Sequence, residues 1–259
     1  MICYIYNNIY NKKKMILDQF PKVLWINLDR SIERKKYMEL LLKKHNINHT
    51  RITAIDGSNM TELTNICVTN PSITNQENAC TCSHILAMKY FLEETSDNEI
   101  IIFEDDVSFE FLKFIPFNWS KLYSNLPKDY GLIQLAITRD RGPVSHILTK
   151  VTLLYKYYCS AAYLITRNTA KEIIDKYYCK ESGKIDLNQN DCCTADGIIT
   201  NTNKTYSVPI FSYQTNESTI HPKHLIIHTK SKSQQHKMWS IISQTKNFNL
   251  ESYFDKFPK

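Results

Sequence analysis

Apolar and polar positions follow two different periods along this chain. Short runs rich in Ile, Leu and Val have the length and composition of buried strands, predicted at residues 23–28, 51–55, 99–103, 131–136, 158–166 and 207–211. Between them, apolar residues recur at spacings of three and four, which predicts helices at 31–44, 79–93, 119–126 and 169–178 and one or two more within 234–257. Alternating strands and helices predict an α/β fold with a mainly parallel sheet flanked by helices.

Three adjacent carboxylates follow the apolar run at 99–103. Side chains alternate along a strand, so Glu104 and Asp106 are expected to share a face at its carboxyl end, with Asp105 between them. Open α/β sheets bind their ligands at this end of the strands. Carboxylate oxygens suit Mg²⁺ and Mn²⁺, which bind through one or two carboxylates and substrate phosphates. The alternative is that the acids cap the next element and lie in water.

Three further segments flank the acidic triplet in a fixed order. They are VLWINLDRSIERKKYMELLLKKHNI with RITAIDG, then ACTCSHILAMKYFLE, and last CSAAYLITRNTAKEII with TADG. In this order the chain resembles glycosyltransferase family 25, the group that contains lipopolysaccharide glycosyltransferases and collagen galactosyltransferases. The resemblance covers roughly residues 22–220. It implies a GT-A-like fold with a single nucleotide-sugar-binding domain.

The resemblance also implies a reaction. A metal-dependent, inverting enzyme is expected to move galactose or glucose from a UDP-sugar donor to a hydroxyl of a glycan or of a hydroxylysine-like acceptor. Glu104, Asp105 and Asp106 are expected to hold Mn²⁺ or Mg²⁺, which offsets the charge of the departing UDP. Asp196 is the expected catalytic base, with Asp191 as its rival, and a plain Asp-Gly turn is the alternative for Asp196.

The nucleotide half of the donor is expected to lie against the first strand. The residues expected to bind it are Asn27, Arg30, Arg34, Asp56, Gly57, Ser83 and His84. Arg34 has a surface cation as its alternative, and His84 has a packed, hydrogen-bonded helical residue. Gln214, Ser218 and His221 are further candidates to close the donor site or to supply a ligand.

Length, charge and glycine content narrow the function classes. A chain of 259 residues, 42% of them hydrophobic, can form one large domain, which we expect at 21–225 with an N-terminal extension at 1–20 and a helical tail at 226–259. The five glycines form neither GxGxxG nor GxxxxGK[ST], which removes the main support for Rossmann and P-loop proteins. The net charge of +6 is spread over helices and mixed with acids, so no nucleic-acid partner is expected.

Cysteine spacing and the first residues bear on the compartment. Pairs such as Cys80 and Cys82 are too close for a disulfide framework, and no CxxC pair indicates zinc, so free thiols are expected. The basic run near the amino terminus follows the apolar part, which is not the layout of a signal peptide. No apolar run of about eighteen residues is present to form a transmembrane segment. We therefore expect a cytoplasmic protein.

Two other function classes stay open at this stage. A catalytically inactive, sugar-binding descendant of the family would keep the same motifs without turnover. A phosphoryl-transfer or receiver-type protein also places Asp-Asp after an apolar strand. It needs a further nucleophilic Asp and a Lys at later strand ends, however, and LIQLAIT and AAYLITR offer neither.

Overall fold

The structure is a computed structural model that describes residues 16–139, 144–152, 157–189, 194–202, 204–214 and 225–255. Its strands are β1 (Val23–Asn27), β2 (His49–Thr53), β3 (Cys67–Val68), β4 (Glu99–Glu104), β5 (Val107–Ser108), β6 (Leu132–Gln134), β7 (Thr149–Lys150), β8 (Ala162–Thr166), β9 (Tyr178–Cys179), β10 (Lys184–Asp186), β11 (Thr205–Ser207) and β12 (Ser212–Tyr213). Its α-helices are α1 (Ile32–Lys44), α2 (Met60–Ile66), α3 (Asn75–Glu94), α4 (Trp119–Ser124), α5 (Arg167–Tyr177), α6 (Ala195–Thr200) and α7 (Leu225–Ser243). Two 3₁₀ helices span Glu110–Phe114 and Leu250–Tyr253.

Seven strands form the central sheet in the order β2-β1-β4-β8-β6-β11-β7. Strands β2, β1, β4, β6 and β11 run in one direction, whereas β8 in the middle and β7 at the edge run antiparallel to their neighbours. The predicted α/β fold with a mainly parallel sheet flanked by helices is confirmed. The reversed direction of β8 was not predicted, because an apolar run that is buried on both faces has the same pattern in either direction.

Strand β4 shows how the sheet buries both of its faces. Ile100 and Ile102 belong to one core cluster, which contains apolar residues of α3 and α5. Ile101 and Phe103 belong to a second cluster, which contains Trp239 and other residues of α7. Successive side chains of a strand point to opposite faces, so a continuous apolar run fits a strand that is covered on both sides. The sheet therefore lies between two helical layers.

Helix α3 is fixed at both ends. At its start Thr74 and Glu77 form a capping box, in which each side chain accepts a hydrogen bond from the backbone N–H of the other. At its end the Arg167 guanidinium donates to the carbonyls of Leu92 and Thr95, at 3.0 and 2.6 Å. The helix starts at Asn75, earlier than the predicted 79, because the Thr-x-x-Glu capping signal precedes its apolar residues. These caps hold the functional side chains of α3 in place.

Helix α7 packs into the second core cluster. Trp239 is fully buried and its indole Nε1 donates to the carbonyl of Pro209 at 2.8 Å. Gln235, also buried, donates to the carbonyl of Ile137 at 2.8 Å. The helix predicted within 234–257 thus begins at Leu225 and covers the sheet.

The cysteines in the described part of the chain are free thiols. They are Cys67, Cys80, Cys82, Cys159 and Cys179. Among the described helices, none has the length and apolar character needed to cross a membrane.

Candidate active site

A cleft opens where β1, β2 and β4 end, at the edge of the sheet where ligands are expected. Its empty space is about 680 Å³ when the open, solvent-filled mouth is included. The predicted site residues that line it are Asn27, Arg30, Arg34, Gly57, Ser83, His84, Glu104 and Asp105. Asp56, Asp106 and Asp196 are not among its lining residues. The structure therefore brings most of the predicted donor-binding residues to one cleft.

Asp105 is the centre of a hydrogen-bond network in the cleft. Its Oδ2 accepts from Asn27 Nδ2 at 2.6 Å, and its Oδ1 accepts from Arg34 at 3.0 Å. The Asp105 side chain is only 12% exposed. Both carboxylate oxygens are thus engaged by protein donors. This arrangement favours a role for Asp105 in orienting Arg34 and Asn27 over direct ligation of a cation.

Arg51 extends this network and was not predicted from the sequence. Its Nε donates to Asn27 Oδ1 at 2.9 Å, and one of its terminal nitrogens donates to Asp29 at 2.6 Å and to the Asn27 carbonyl at 3.1 Å. Because β1 and β2 pair in parallel, Arg51 on β2 lies beside the end of β1. The signal in the sequence is an arginine that opens the RITAIDG strand segment. Arg51 fixes the amide orientation of Asn27, and hence the donor that Asp105 receives.

Glu104 is held by two side chains from other parts of the chain, His84 on α3 and Ser160 in the turn before β8. Its Oε1 contacts His84 Nε2 at 3.2 Å and accepts from the Ser160 hydroxyl at 2.5 Å. Burial raises the pKa of Glu104, but the interactions with His84, Ser160 and Arg34 together lower it by more. The pKa therefore lies below its ordinary value, and Glu104 is ionised at neutral pH.

His84 is a buried, fully bonded residue of α3. It is 2% exposed, and its Nδ1 contacts the Tyr163 hydroxyl at 2.9 Å while its Nε2 faces Glu104. Both ring nitrogens have protein partners, and the ring also lines the cleft. Ser83 beside it is similarly committed, because its hydroxyl accepts from the Ile55 N–H at 2.9 Å and donates to the Ala79 carbonyl at 2.7 Å. Both side chains shape the cleft from within.

The turn after β2 forms another wall of the cleft. Asp56 is ion-paired with Arg30, and its Oδ1 accepts from the Ser58 N–H at 2.9 Å. A Cβ on Gly57 would lie 2.7 Å from both the carbonyl oxygen of Asn75 and the Cα of Gln76. Only a glycine at this position therefore allows the turn after β2 to approach the first turn of α3 so closely.

Asp106 differs from its two acidic neighbours. Burial and the charges of Glu104 and Asp105 raise its pKa to about 8, although Arg34 and Lys232 oppose the shift. The Asp106 carbonyl accepts from the backbone N–H of Gln214 at 2.9 Å, which brings Gln214 to this end of the sheet. The other two candidates from that segment, Ser218 and His221, lie outside the described residues. The positive charges of Arg34 and Lys232 are thus too weak to offset the burial of Asp106 and the two negative charges beside it.

Asp196 lies close to Glu104. It stands in the first turn of α6 and interacts with the Cys159 backbone N–H and the Ser160 hydroxyl. Burial and the charge of Glu104 raise its pKa to about 6. The rival base, Asp191, lies outside the described residues. The structure therefore places Asp196 near the acidic triplet, on the side of Ser160.

The turn that contains Cys159 and Ser160, which contacts both Asp196 and Glu104, has an unusual backbone. Cys159 has φ = 105°, in the region that residues other than glycine rarely adopt. This turn interrupts the extended run predicted at 158–166, so β8 begins at Ala162. Strain of this kind persists only where the surroundings enforce it, and it clusters at functional sites. Neither Cys159 nor Ser160 was predicted as a site residue, although both open the CSAAYLITR segment.

The predicted cation ligands do not all converge on one point. Strand β4 ends at Glu104, so the alternation expected through Asp106 does not continue, and Glu104 and Asp105 line the cleft instead of Glu104 and Asp106. Among the described residues, the set of three metal-binding side chains with donor atoms within 4.8 Å of one another is Cys80, His84 and Glu104. The charge of Glu104 acts on Asp106, so these two carboxyl groups lie near each other although Asp106 does not line the cleft.

Comparison with known proteins identifies the family. Residues 20–188 match the sequence profile described as glycosyltransferase family 25 (LPS biosynthesis protein). The chain belongs to glycosyltransferase family 25. The predicted membership is thereby confirmed. The match includes the cleft residues on β1, α1, α3 and β4 and the strained turn before β8, whereas Asp196 and α7 lie outside it.

Three solved structures show distant likenesses to this family 25 chain. A197 from STIV has a TM-score of 0.42 and 11% identity, over 74% of this chain and 84% of that one. HddC from Yersinia pseudotuberculosis has a TM-score of 0.36 and 12% identity, over 79% and 78%. The galactosyltransferase LgtC in complex with donor and acceptor sugar analogs has a TM-score of 0.32 and 11% identity, over 82% and 95%. We base no inference on likenesses this distant. No curated protein matches the chain.

Proposed function

We propose that this family 25 chain is an inverting glycosyltransferase. It moves galactose or glucose from a UDP-sugar to a hydroxyl of a glycan or of a hydroxylysine-like acceptor, with Mn²⁺ or Mg²⁺ as cofactor. The observation that carries the proposal is the cleft of the family-matched region, in which two arginines and two carboxylates meet at the ends of parallel strands. This combination of charges is what a nucleotide diphosphate with a bound cation requires.

Binding of the donor is assigned to the arginine side of the cleft. Arg30 lies in the turn before α1 and Arg34 in the first turn of that helix, and their side chains are 54% and 28% exposed. Each is already paired with an aspartate, Arg30 with Asp56 and Arg34 with Asp105. These pairs hold the guanidinium groups in fixed positions while leaving part of each accessible. Fixed guanidinium groups are suited to bidentate recognition of phosphate oxygens.

The cation is assigned to Glu104 and Asp106. Glu104 keeps its Oε2 without a hydrogen bond to the described residues, and Asp106 lacks adequate neighbouring positive charge. A bound divalent cation would supply charge neutralisation of the departing UDP oxygens. The role of the protein is to hold these two carboxyl groups in place. His84 and Ser160 do so for Glu104 through its Oε1.

Asp196 is proposed as the general base. In an inverting reaction the acceptor oxygen attacks the anomeric carbon as the bond from that carbon to the UDP oxygen breaks, and the hydroxyl proton passes to a carboxylate. A pKa of about 6 leaves Asp196 mostly ionised at neutral pH, yet basic enough to accept a proton. The Cys159 N–H and the Ser160 hydroxyl hold its carboxylate.

The test is a screen of UDP-galactose and UDP-glucose with Mn²⁺, with release of UDP as the readout and an acceptor panel on the better donor. Asp106→Asn is expected to abolish transfer and to leave the fold intact, as judged by circular dichroism. Asp175→Asn is the matched control, since Asp175 lies on the exposed side of α5 with its side chain 46% exposed. Full transfer by Asp106→Asn, or by the wild type in excess chelator, would contradict the cation's role. Absence of UDP release from any donor would support an inactive descendant instead.

A further inference from the structure

We propose that Cys80, His84 and Glu104 form a second cation site, which takes a thiophilic ion of the Zn²⁺ class. Binding at this site does not depend on the proposed function. Its consequence does, because Glu104 is shared with the site proposed for Mn²⁺ or Mg²⁺. An ion held by Cys80 and His84 would therefore inhibit glycosyl transfer.

The donor atoms are of the types that zinc prefers, and they lie close together. Cys80 and His84 are four residues apart on α3, so their side chains share a face of the helix, and Glu104 at the end of β4 faces them. Their ligand atoms lie within 4.8 Å of one another, with His84 Nε2 and Glu104 Oε1 3.2 Å apart. One sulfur, one imidazole nitrogen and one carboxylate oxygen suit Zn²⁺, whereas Mn²⁺ and Mg²⁺ prefer oxygen alone.

An outer partner already orients the histidine. Tyr163 on β8 is fully buried, and its hydroxyl lies 2.9 Å from His84 Nδ1. Without an ion, Nε2–H can donate to Glu104 while Nδ1 accepts from the tyrosine. With an ion on Nε2, Nδ1 carries the proton and donates to the tyrosine oxygen, which can accept it. Metal-binding histidines ordinarily have such a partner on the second ring nitrogen.

The site also has an entry path and a rigid frame. Cys80, His84 and Glu104 all line the cleft, so an ion can reach them from solvent and keep a fourth position open toward the cleft. The capping box at the start of α3 and the Arg167 contacts at its end fix the helix that carries two of the three ligands. A small set of fixed ligands needs little reorganisation to bind.

Binding requires one proton to leave and no redox step. In the ion-free protein, burial and the charges of Glu104 and Asp196 raise the pKa of the Cys80 thiol, so the sulfur is protonated. On binding, the thiol proton passes to solvent, the sulfur becomes a metal thiolate, and the hydrogen bond between His84 and Glu104 is replaced by two bonds to the ion. The charge of the dication offsets the carboxylates that disfavour the thiolate.

The first test measures binding alone on the full-length protein. Cd²⁺ serves as a spectroscopic probe because its thiolate complex has an ultraviolet charge-transfer band, and Zn²⁺ affinity is measured by calorimetry in excess Mg²⁺. Cys80→Ser is expected to lose the Cd²⁺ band and to bind Zn²⁺ at least about tenfold more weakly. Tyr163→Phe is expected to lose about 10- to 100-fold in Zn²⁺ affinity through its effect on His84. Cys179→Ser, at a thiol on the separate strand β9, is the matched control and keeps both signals.

Wild-type Cd²⁺ and Zn²⁺ binding by Cys80→Ser would overturn the proposal, as would binding that Cys179→Ser removes equally. If Cys80→Ser does not fold, as judged by circular dichroism, Cys80→Ala and His84→Gln replace it under the same criterion. The second test asks whether Zn²⁺ inhibits Mn²⁺-dependent UDP release and whether added Mn²⁺ reverses the inhibition. Zinc binding without any transferase activity would refute only the proposed function. Transferase activity that Zn²⁺ leaves unchanged would refute the shared role of Glu104.

Discussion

Replacing Asp106 by Asn is expected to stabilise the ion-free protein, even though Asp106 is proposed to be essential for transfer. The pKa of Asp106 is about 8 in the folded chain, against an ordinary value of 3.8. At neutral pH the folded protein therefore has to protonate a group that is ionised in the unfolded chain. Asn is uncharged at every pH and has the shape of the protonated acid, so it avoids this cost.

The size and the sign of the effect follow from proton linkage. The folded pKa lies above the unfolded pKa, so the folded chain binds more protons, and the free energy of unfolding falls as pH rises from about 4 to about 8. With the two pKa values of about 8 and 3.8, the cost at pH 7 is on the order of 4 kcal/mol. Asp106→Asn is expected to exceed the wild type by up to that amount at pH 7, and by almost nothing below pH 4.

The same substitution one residue earlier is expected to have the opposite sign. Asp105 accepts hydrogen bonds from Asn27 and from Arg34, so an amide at position 105 removes the charge opposite Arg34 and turns one donor toward another. Losing such buried partners costs about 1 to 3 kcal/mol. Asp105→Asn should therefore be less stable than the wild type at neutral pH, which makes it the matched control.

The assay is urea unfolding of the three proteins in chelator at pH 4, 6, 7 and 8, repeated with Mn²⁺. In chelator the stability advantage of Asp106→Asn should grow with pH. With Mn²⁺ the wild type should gain stability and Asp106→Asn should not, because only the folded wild type binds the ion. The reasoning is refuted if Asp106→Asn is the less stable protein in chelator at pH 8, or if its difference from the wild type does not change with pH.

Three further predictions concern the same site. Ser160→Ala removes the hydroxyl that contacts Glu104 and Asp196, so kcat for transfer should fall about 10- to 100-fold with little change in donor KM. An unchanged kcat in steady-state kinetics would exclude a role of Ser160 in positioning these two carboxyl groups. Gly57→Ala places a Cβ 2.7 Å from the backbone of α3 and should cost about 1 to 3 kcal/mol in urea unfolding, so wild-type stability would contradict the close packing. Mn²⁺ binding at pH 7 should release about one proton, because Asp106, with a pKa of about 8, is about nine-tenths protonated at that pH. Calorimetry in two buffers of different ionisation enthalpy measures the number of protons released, and zero release would count against ligation by Asp106.

The hydrophobic pattern of the sequence predicted which helices and strands form more accurately than it predicted the residues at which they begin and end. The strand predicted at 158–166 begins at Ala162 because Cys159 adopts φ = 105°, which no local preference for cysteine indicates. The strand predicted at 207–211 is replaced by β11 and β12 on either side of Pro209, which has no N–H to contribute to a ladder. Period and composition indicate where a strand lies, whereas tertiary contacts decide where it stops.

The candidate site was predictable where the chemistry lies within one segment. Asn27 and Glu104 lie at the ends of predicted strands and Arg34 lies in the first turn of a predicted helix, and the structure brings them to one cleft. Arg51 and Ser160 were missed because their importance comes from partners on other elements. Ser160 lies 56 positions after the Glu104 side chain to which it donates. The hydrogen bonds that Asp105 accepts from Asn27 and Arg34 were not predicted for the same reason, because both donors come from distant parts of the chain.

We propose that Glu104 and Asp106 bind a cation together with the nucleotide. Titration of Mn²⁺ with and without UDP tests this proposal most directly. Electron paramagnetic resonance counts free Mn²⁺ in such a titration. Since two ligands that bind side by side raise each other's affinity by the same factor, UDP should tighten Mn²⁺ binding to the wild type. Asp106→Asn should lose that effect, whereas Asp175→Asn should keep it. Equal Mn²⁺ binding by the wild type and Asp106→Asn in the presence of UDP would contradict the assignment.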